Sequence, residues 1–398
     1  MPTLSHKVKV LPNSPIRKLV RYADTAKSNG IEVLHLNIGQ PDIPAPKEAL
    51  EATQNHSLDL LSYGVSQGSF SYREKLCAYY KKHSIAIEPQ DILVTTGASE
   101  ALVFILNTVC DAGDEIIVPE PFYANYSGFA EAAGAVVIPV VSCFEDNFKL
   151  PPIATIEAKI NAKTRAILLC NPNNPTGYVY TQQEVEALGN MAVKHDVFLI
   201  VDEVYREFIY EPHITHYSVL KNEAWQDHAV LIDSVSKRYS LCGARVGCII
   251  SKNKSLIRHL LKFAHLRLSP PALGLAASEG ALSAPDTYLK NAIAEYTHRR
   301  DVLMAALKKI LGIRVSCPTG AFYCIVKLPV ADAEDFSRFL LSDFSEGGQT
   351  VMLAPLAGFY ATPGYGRDEV RIAFILEAAK LERAAFILEK ALQQYGSL

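Results

Sequence analysis

The segment from Asp233 to Lys237 reads DSVSK and brings a lysine to the end of an apolar, β-forming run. Ser234 and Ser236 precede the lysine, and Arg245 follows it. Small hydroxyls and a guanidinium suit a phosphate group, and a lysine amine attacks a carbonyl when its surroundings lower its pKa. The segment therefore predicts a site for a phosphorylated carbonyl compound, with a solvated surface lysine as the alternative.

A second candidate is Asp202, which follows the apolar run Phe198–Val201 and begins the sequence DEVY. Ligands of open α/β sheets bind in the crevice outside the carboxyl ends of the strands. A carboxylate in that crevice could pair with a protonated ring nitrogen and make a heterocyclic cofactor a better electron sink. A helix N-cap is the alternative, because aspartate is also favoured there.

Two loops supply further polar groups. The motif NPNNPTG over Asn171–Gly177 is typical of a rigid turn, from which an asparagine could donate a hydrogen bond to a phenolate oxygen. The motif TGASEA over Thr96–Ala101 joins a strand to a helix, and free N–H groups at a helix N-terminus bind phosphate. A purely structural turn and a helix cap formed by Ser99 are the respective alternatives.

An arginine near the C-terminus is the last candidate. The sequence EVRIAF over Glu369–Phe374 puts Arg371 inside an otherwise apolar strand. A buried arginine is costly unless it is paired. Its planar fork would hold a substrate carboxylate well, and an internal Asp or Glu is the alternative partner.

The elements that must position these residues follow a simple alternation. Short β-rich runs alternate with helical patterns such as Gln182–His195, which is typical of a parallel sheet wrapped by helices. Near residue 285 the pattern changes to a long helix and a tighter α+β arrangement. We therefore predict a large α/β domain over residues 46–288 and a smaller α+β domain formed by residues 1–45 and 289–398. The strands expected in the large domain are Asp91–Thr95, Glu115–Val118, Ala135–Val140, Arg165–Leu169, Val197–Val201, Ala229–Asp233 and Val246–Ser251.

Bulk properties exclude several classes of function. The chain has 398 residues, 49% of them apolar and 20% charged, with a formal net charge of -3, so it lacks a basic footprint for nucleic acid or membrane. The sequence shows no signal-peptide core and no apolar run long enough to span a bilayer. The 8 cysteines are scattered, several in apolar runs typical of reduced thiols, and the 11 histidines lack metal-ligand spacing. These features predict a cytoplasmic protein without a metal site.

Taken together, the motifs resemble those of the class I/II aminotransferases of fold type I, which are enzymes dependent on pyridoxal 5′-phosphate (PLP). The resemblance extends from LNIGQPD over Leu36–Asp42 to Arg371, with the motifs in the family's order. It implies the fold-type I PLP-transferase architecture, an α/β fold. In that fold a large domain holds a mostly parallel seven-stranded sheet between helices, next to a smaller α+β domain.

The resemblance also implies roles around the cofactor ring. Lys237 matches the lysine that bonds covalently to the cofactor and later moves the substrate's proton. Asp202 matches the carboxylate on the ring nitrogen, and Tyr205 and Asn174 match the two donors to the ring's phenolic oxygen. Tyr123 matches the aromatic residue that stacks on the ring.

Further matches concern the phosphate and the substrate. Tyr63 matches a tyrosine that reaches the phosphate of the neighbouring subunit, which implies a homodimer. Arg371 matches the clamp on the substrate α-carboxylate, with Gly39 beside it and Asn174 also in contact. The residues expected around the phosphate are Ala98, Ser99, Ser234, Ser236 and Arg245.

The resemblance favours an amino acid donor, aspartate first, and 2-oxoglutarate as acceptor in a ping-pong reaction. A distal substrate carboxylate needs a cation, for which Arg17 and Arg267 are candidates against a solvated surface role. Glycines in the loop over Leu353–Gly366 would permit that loop to move. Two other classes share the motifs: PLP-dependent carbon–sulfur β-lyases, and PLP-sensing regulators that carry an additional DNA-binding module.

Overall fold

The computed structural model describes residues 2–5, 8–9, 11, 14–57 and 59–396. Its strands, in chain order, are β1 (Glu32–His35), β2 (Ile92–Thr95), β3 (Glu115–Glu120), β4 (Val136–Val141), β5 (Thr164–Cys170), β6 (Phe198–Asp202), β7 (Ala229–Ser234), β8 (Gly247–Ile250), β9 (Arg314–Val315), β10 (Tyr323–Lys327), β11 (Gln349–Met352), β12 (Ala354–Pro355) and β13 (Glu369–Ala373).

The α-helices surround these strands and vary widely in length. Their bounds are Val20–Ser28, Lys47–Gln54, Phe70–Lys82, Gly97–Val109, Asn125–Ala133, Ile153–Glu157, Gln182–His195, Val235–Arg238, Lys254–Arg267, Ala272–Ala281, Asp286–Leu307, Ala333–Ser342 and Ala378–Tyr395. None of the helices in the described part of the chain is both long enough and apolar enough to cross a membrane.

The central sheet has seven strands in the order β2-β8-β7-β6-β5-β3-β4. β8 runs antiparallel to both of its neighbours, and the other pairs are parallel. The predicted mostly parallel seven-stranded sheet is therefore confirmed. Because the inner parallel strands are covered on both faces, their sequences are continuous apolar runs rather than alternating ones.

Two apolar cores lie on the two faces of this sheet. Successive side chains of a strand point to opposite faces, so Ile200 of β6 packs in one core and Val201 in the other. The core that contains Ile200 continues into the C-terminal part of the chain, where it includes Phe322 and Phe374. The carboxyl ends of the parallel strands are thereby held at one edge of the sheet by packing from both sides.

Two smaller sheets involve the ends of the chain. β12, β13, β10 and β9 form an antiparallel sheet in that order. β1 pairs in parallel with β11, with Leu34 opposite Val351. The N-terminal segment is therefore tied to the C-terminal part of the chain. The division into two domains stays a prediction.

Several element boundaries differ from those expected. The helix over Gln182–His195 has the predicted bounds, because Thr181 and Glu184 form a capping box at its start. The strand expected over Glu115–Val118 extends instead to Glu120. The strand expected over Val246–Ser251 is shorter and spans Gly247–Ile250.

Candidate active site

A cavity of about 650 Å³ lies at the carboxyl ends of β2, β5, β6 and β7. The predicted site residues that line it are Gly39, Ala98, Ser99, Tyr123, Asn174, Asp202, Tyr205, Ser234, Ser236, Lys237, Arg245 and Arg371. Tyr63 is the exception: its side chain is 81% exposed and does not line this cavity.

Lys237 reaches the cavity from a short helix, Val235–Arg238, that follows β7 directly. Ser234 caps this helix by accepting a hydrogen bond from the backbone N–H of Ser236. The Lys237 ammonium donates to the carbonyl oxygen of Gly39 at 2.9 Å and lies 3.8 Å from the sulfur of Cys242. The amine is therefore held inside the cavity and not in bulk solvent.

Asp202, the last residue of β6, is 5% exposed. Its Oδ2 accepts a hydrogen bond from the Tyr126 hydroxyl at 2.9 Å, and its Oδ1 accepts one from the backbone of Val204 at 3.3 Å. The bond from Val204 resembles a helix N-cap, the alternative role considered for Asp202, but the residues that follow form a turn and not a helix. Asp202 has no ion-pair partner among the described residues, and burial raises its pKa to about 6. A nearby cation would stabilise its charged form.

The part of the cavity near Gly97 and Arg245 has groups that suit an anion. The helix Gly97–Val109 begins there, and Arg245 lies against its first turn. A Cβ atom on Gly97 would lie 2.5 Å from Nη2 of Arg245, so glycine permits this close approach. The hydroxyls of Ser234 and Ser236 are 2.7 Å apart. Free helix N–H groups, hydroxyls and a guanidinium together form a phosphate-binding arrangement.

Ser99 does not act as the cap of this helix. The helix begins at Gly97, and the N-cap residue is Thr96. The cap alternative for Ser99 is therefore excluded, and its hydroxyl can face a ligand from the cavity wall.

Arg371 on β13 is only 1% exposed. Its guanidinium donates to Asn174 Oδ1 at 2.8 Å and to the Asn37 carbonyl at 2.5 Å, and it lies 4.2 Å from the centre of the Tyr323 ring. Within the described chain no carboxylate pairs with it, so the internal Asp or Glu considered above is excluded. The buried positive charge is left to an external anion.

Two functional candidates were missed by the sequence reasoning. Tyr323 shares a 2.7 Å hydrogen bond with the hydroxyl of Tyr205, and a Cβ on Gly39 would lie 2.0 Å from its oxygen. Tyr126 donates to Asp202. The motif GAFY around Tyr323 indicates only the start of a strand. The sequence carries no signal for the contact between Tyr126 and Asp202, which lie far apart in the chain.

The two arginines considered for a distal carboxylate lie in different environments. Arg17 lines the mouth of the cavity, and its side chain makes no ion pair with a described residue. Arg267 lies outside the cavity lining, where it pairs with Glu100 at 2.9 Å and donates to the carbonyl of Ser66. These internal contacts remove Arg267 as a candidate.

Comparison with known proteins identifies the family of this chain. The family model described as "Aminotransferase class I and II" matches residues 31–387. The chain belongs to this family. Its members are PLP-dependent transaminases that act on amino acids and 2-oxo acids, and PLP is the cofactor of this aminotransferase.

Relatives of this aminotransferase cover nearly its whole length. An aspartate aminotransferase of Sulfurisphaera tokodaii is 32% identical over 372 residues, 89% of this chain and 90% of the relative. An asparagine–oxo-acid transaminase of Streptococcus mutans is 30% identical over 399 residues, 96% of this chain and 98% of the relative. Both names are those of transaminases, which favours transamination over the β-lyase and regulator alternatives.

Solved structures of two other aminotransferases have the same fold. The aspartate aminotransferase of Thermus thermophilus with maleate superimposes with a TM-score of 0.90 at 26% identity, covering 98% of this chain and all of that one. An alanine aminotransferase of Pyrococcus furiosus gives a TM-score of 0.89 at 29% identity over 98% of this chain. The fold-type I architecture is thereby confirmed.

The cavity of this aminotransferase fits PLP on three observations. Asp202 is a buried carboxylate without a cation, which a protonated ring nitrogen would supply. The amine of Lys237 lies inside the cavity, and the first turn of Gly97–Val109 with Arg245 suits the phosphate. When bound, PLP acts as a sink for the electrons released at the substrate α-carbon.

Proposed function

We propose that this aminotransferase exchanges amino groups between aspartate and 2-oxoglutarate in a ping-pong reaction. The observation that carries the proposal is the buried Arg371, whose charge has no carboxylate partner among the described residues. An α-carboxylate would compensate that charge with a bidentate contact.

Arg17 extends this argument to the second carboxylate of a dicarboxylic substrate. Burial raises the pKa of Tyr123 to about 12, and the charges of Arg371 and Arg17 both oppose that rise. Both cations therefore act on the same aromatic ring. Further support comes from maleate, a dicarboxylate, in the Thermus thermophilus enzyme, and from the aspartate aminotransferases among the relatives.

The chain's own residues would share the work around the cofactor as follows. Lys237 would hold the cofactor covalently, and its free amine would carry the proton from the substrate α-carbon. Asp202 keeps the ring nitrogen protonated. Tyr205 and Asn174 donate hydrogen bonds to the phenolic oxygen, and burial raises the pKa of Tyr205, which keeps it a neutral donor. Tyr123 packs on the ring.

The remaining roles concern the two anionic ends of the site. Arg371 holds the α-carboxylate, with Gly39 and Asn174 on either side of it. We assign the phosphate to Ala98, Ser99, Ser234, Ser236 and Arg245, which line one end of the cavity.

We also propose a homodimer in which Tyr63 of one subunit reaches the phosphate bound to the other. Tyr63 is 81% exposed and belongs to a surface rich in apolar side chains. A Cβ on Gly64 would lie 3.8 Å from Cβ of Ser269, so this segment lies beside Ser269, which follows the exposed Leu268. Apolar patches of this kind mark interaction surfaces. Other exposed apolar side chains close to Tyr63 in the sequence are Leu60, Leu61, Val65 and Phe70.

A cytoplasmic location and a role in amino acid biosynthesis complete the proposal. All 8 cysteines are free thiols. Free thiols in such number favour a reducing compartment. We keep the division into a large domain over residues 46–288 and a small one formed by residues 1–45 and 289–398.

The substrate proposal is tested by a panel of amino acids, each given alone to the PLP-loaded enzyme. Conversion of the cofactor from its aldehyde to its amine form is followed by absorbance. We expect the highest rate per concentration with aspartate and glutamate. A clear preference for alanine or for aromatic amino acids would overturn the dicarboxylate assignment.

The role of Arg17 is tested by Arg17→Ala. Because an exposed charge pair contributes about 1 kcal/mol or less, we expect the KM for aspartate to rise by up to about fivefold while that for alanine stays constant. Arg21→Ala, in the same segment and also exposed, is the matched control. Equal effects on aspartate and alanine would remove Arg17 from the distal site.

A further inference from the structure

A second cavity of about 400 Å³ lies on the other side of the turn that follows β6. The end of β6 supplies Asp202 to the cofactor cavity, and the turn supplies Tyr205 to that cavity and Arg206 to the second one. Cationic side chains and histidines dominate the second lining, and Glu207 is its one carboxylate among the described residues. The basic and histidine side chains are Lys82, His83, Arg206, His216 and Lys221.

Arg206 is the deepest charge in this cavity. Its side chain is 3% exposed and makes no hydrogen bond to a described residue, and Nη1 is buried without a partner. The nearest carboxylate atoms are Oε1 of Glu207, 3.7 Å from Nε, and Oε2 of Glu203, 3.8 Å from Nη1. Both distances exceed a hydrogen bond. The Tyr80 ring, whose centre is 4.8 Å from the guanidinium carbon, and the two carboxylates compensate part of this buried charge. An anion that accepted hydrogen bonds from the guanidinium would compensate the rest.

The neighbouring carboxylates do not neutralise Arg206 fully. Glu207 accepts a hydrogen bond from the Tyr79 hydroxyl and also lies 3.6 Å from the guanidinium of Arg238. Burial raises the pKa of Glu203 to about 7, so this group is only partly charged near neutral pH. One of its oxygens has no partner. The two carboxylates therefore compensate the positive charge of Arg206 only in part, because Glu207 also serves Tyr79 and Arg238, and Glu203 is only partly charged.

The surroundings of both histidines of the cavity lower their pKa, which favours the neutral forms. Burial is the main cause that lowers the pKa of His216, whose Nε2 donates to the carbonyl of Asn171 at 3.2 Å and whose Nδ1 has no partner. Burial also lowers the pKa of His83; the charge of Glu207 opposes this, and those of Arg206, Arg238 and Lys221 lower it further. The charges of the buried Arg206 and of the exposed Lys221 therefore both reach His83.

We propose that this second cavity binds a small oxyanion of the phosphate class, with Arg206 as the buried ligand and Lys221 and Lys82 at the rim. The lining holds three cations and one carboxylate. Lys82 also pairs with Asp286 at 3.3 Å and Arg206 with Glu203 at 3.8 Å, whereas Lys221 has no ion-pair partner among the described residues, so an anion would balance the remaining positive charge. Arg206 offers the planar donor fork that suits phosphate oxygens. The site is separate from the phosphate end of the cofactor cavity, whose lining does not include Arg206 or either lysine.

The test is calorimetric titration of inorganic phosphate into the PLP-loaded enzyme, in which the cofactor already fills its own phosphate site. We expect saturable binding that Lys221→Ala weakens by about fivefold, with a larger loss in the charge reversal Lys221→Glu. Lys309→Ala, an exposed lysine with no contact to the cavity, is the matched control and should bind as the unmodified enzyme does.

Arg206→Gln should abolish the binding, and the rim variants keep the test decisive if this buried change prevents folding. Absence of saturable binding in the unmodified enzyme would overturn the proposal. So would binding that is unchanged in Lys221→Glu, or that is lost only in Arg371→Lys, since phosphate would then occupy the substrate site. The titration measures binding alone, so its outcome is independent of the aminotransferase substrate assignment.

Discussion

At the scale of residues, the candidate active site contains two charges that the described chain does not balance. Asp202 is a buried carboxylate without a cation, and Arg371 is a buried guanidinium without a carboxylate. A buried charge without a partner of opposite charge is costly, and such unpaired charges are typical of functional sites. The ring nitrogen of PLP and the α-carboxylate of an amino acid would supply the two missing partners.

The first prediction concerns Asp202→Asn. The variant keeps the shape of the side chain but loses the charge that favours a protonated ring nitrogen. Removing one partner of a buried pair costs about 3–5 kcal/mol, so kcat/KM should fall by about a hundredfold to a thousandfold or more. Steady-state kinetics measure the effect, with the exposed Asp227→Asn as control. Activity within a few-fold of the unmodified enzyme would contradict the role.

The second prediction concerns the pH dependence of cofactor binding. Because the pKa of Asp202 without a bound cation is raised to about 6, its charged form is present above that pH and is lost as the pH falls through it. The ring cation of PLP favours the charged form, so affinity should decrease as the pH falls below about 6. Fluorescence titration of the cofactor-free enzyme from pH 5 to 8 measures this.

Tyr126→Phe sharpens that measurement. The hydrogen bond from Tyr126 lowers the pKa of Asp202, so its removal should raise that pKa and move the decrease in affinity to higher pH. Tyr365→Phe, at an exposed tyrosine, controls for the loss of a hydroxyl. Identical pH profiles for Tyr126→Phe and the control would show that Asp202 does not govern the dependence.

At the scale of elements, one buried side chain joins the end of β3 to the loop that follows β12. Glu120 is fully buried, and its Oε2 accepts hydrogen bonds from the backbone N–H groups of Ala361 and Thr362 at 2.7 and 3.2 Å. The N–H of Phe122 also donates to the carbonyl of Phe359. These bonds fix the part of Leu353–Gly366 that follows β12, the strand in which Ala354 pairs with Arg371.

The third prediction is that Glu120→Ala loosens this loop. Two backbone N–H groups would lose their acceptor. Because Ala361 is exposed and Thr362 half-buried, we expect a cost of about 1 kcal/mol for each, at the lower end of the range for unpaired donors. We expect faster hydrogen exchange at Ala361 and Thr362, while the amides of the helix Gln182–His195 stay protected. Glu382→Ala, at an exposed glutamate, is the control. Unchanged exchange at the two loop amides would mean that other contacts hold the loop.

At the scale of the whole molecule, the cavity is assembled from distant parts of the chain. Its wall includes Gly39 after β1, Asp202 at the end of β6 and Arg371 on β13. Tyr63 lies outside it on an exposed apolar surface. In the proposed homodimer that surface is covered by the second subunit, and the Tyr63 hydroxyl completes the neighbour's phosphate site.

The fourth prediction uses hybrid dimers of one Lys237→Ala chain and one Tyr63→Phe chain. If Tyr63 acts across the interface, one site of the hybrid keeps both residues. At limiting PLP the hybrid should then show about half of the unmodified activity. A Tyr63→Phe homodimer should bind PLP about ten- to a hundredfold more weakly, as expected for the loss of a hydrogen bond to a charged group.

The hybrid also distinguishes the alternative. If Tyr63 serves its own chain, every hybrid site carries one of the two changes, and activity at limiting PLP stays low. Dimers of Lys237→Ala with unmodified chains provide the reference for one active site per dimer. A monomeric mass near 43.7 kDa in light scattering would exclude the arrangement altogether.

Much of the fold and the site follows from local sequence. The helix Gln182–His195 was predictable because a capping box and an apolar stripe mark it, and Asp202 and Lys237 were predictable because each follows an apolar strand. Tyr323 and Tyr126 were not, since their contacts with Tyr205 and Asp202 join residues far apart in the chain. The second cavity was not predictable either, because its lining also combines residues from separate parts of the chain.

The parallel pairing of β1 with β11 has a consequence for how the enzyme comes into being on the ribosome. Residues 32–35 find their partner strand only when residues 349–352 have been synthesised. Gly39 and Asn37, which contact Lys237 and Arg371, follow directly after β1. Although N-terminal regions generally emerge and fold first, this N-terminus must wait for the last part of the chain. The vitamin-derived coenzyme should therefore be captured only after translation is nearly complete.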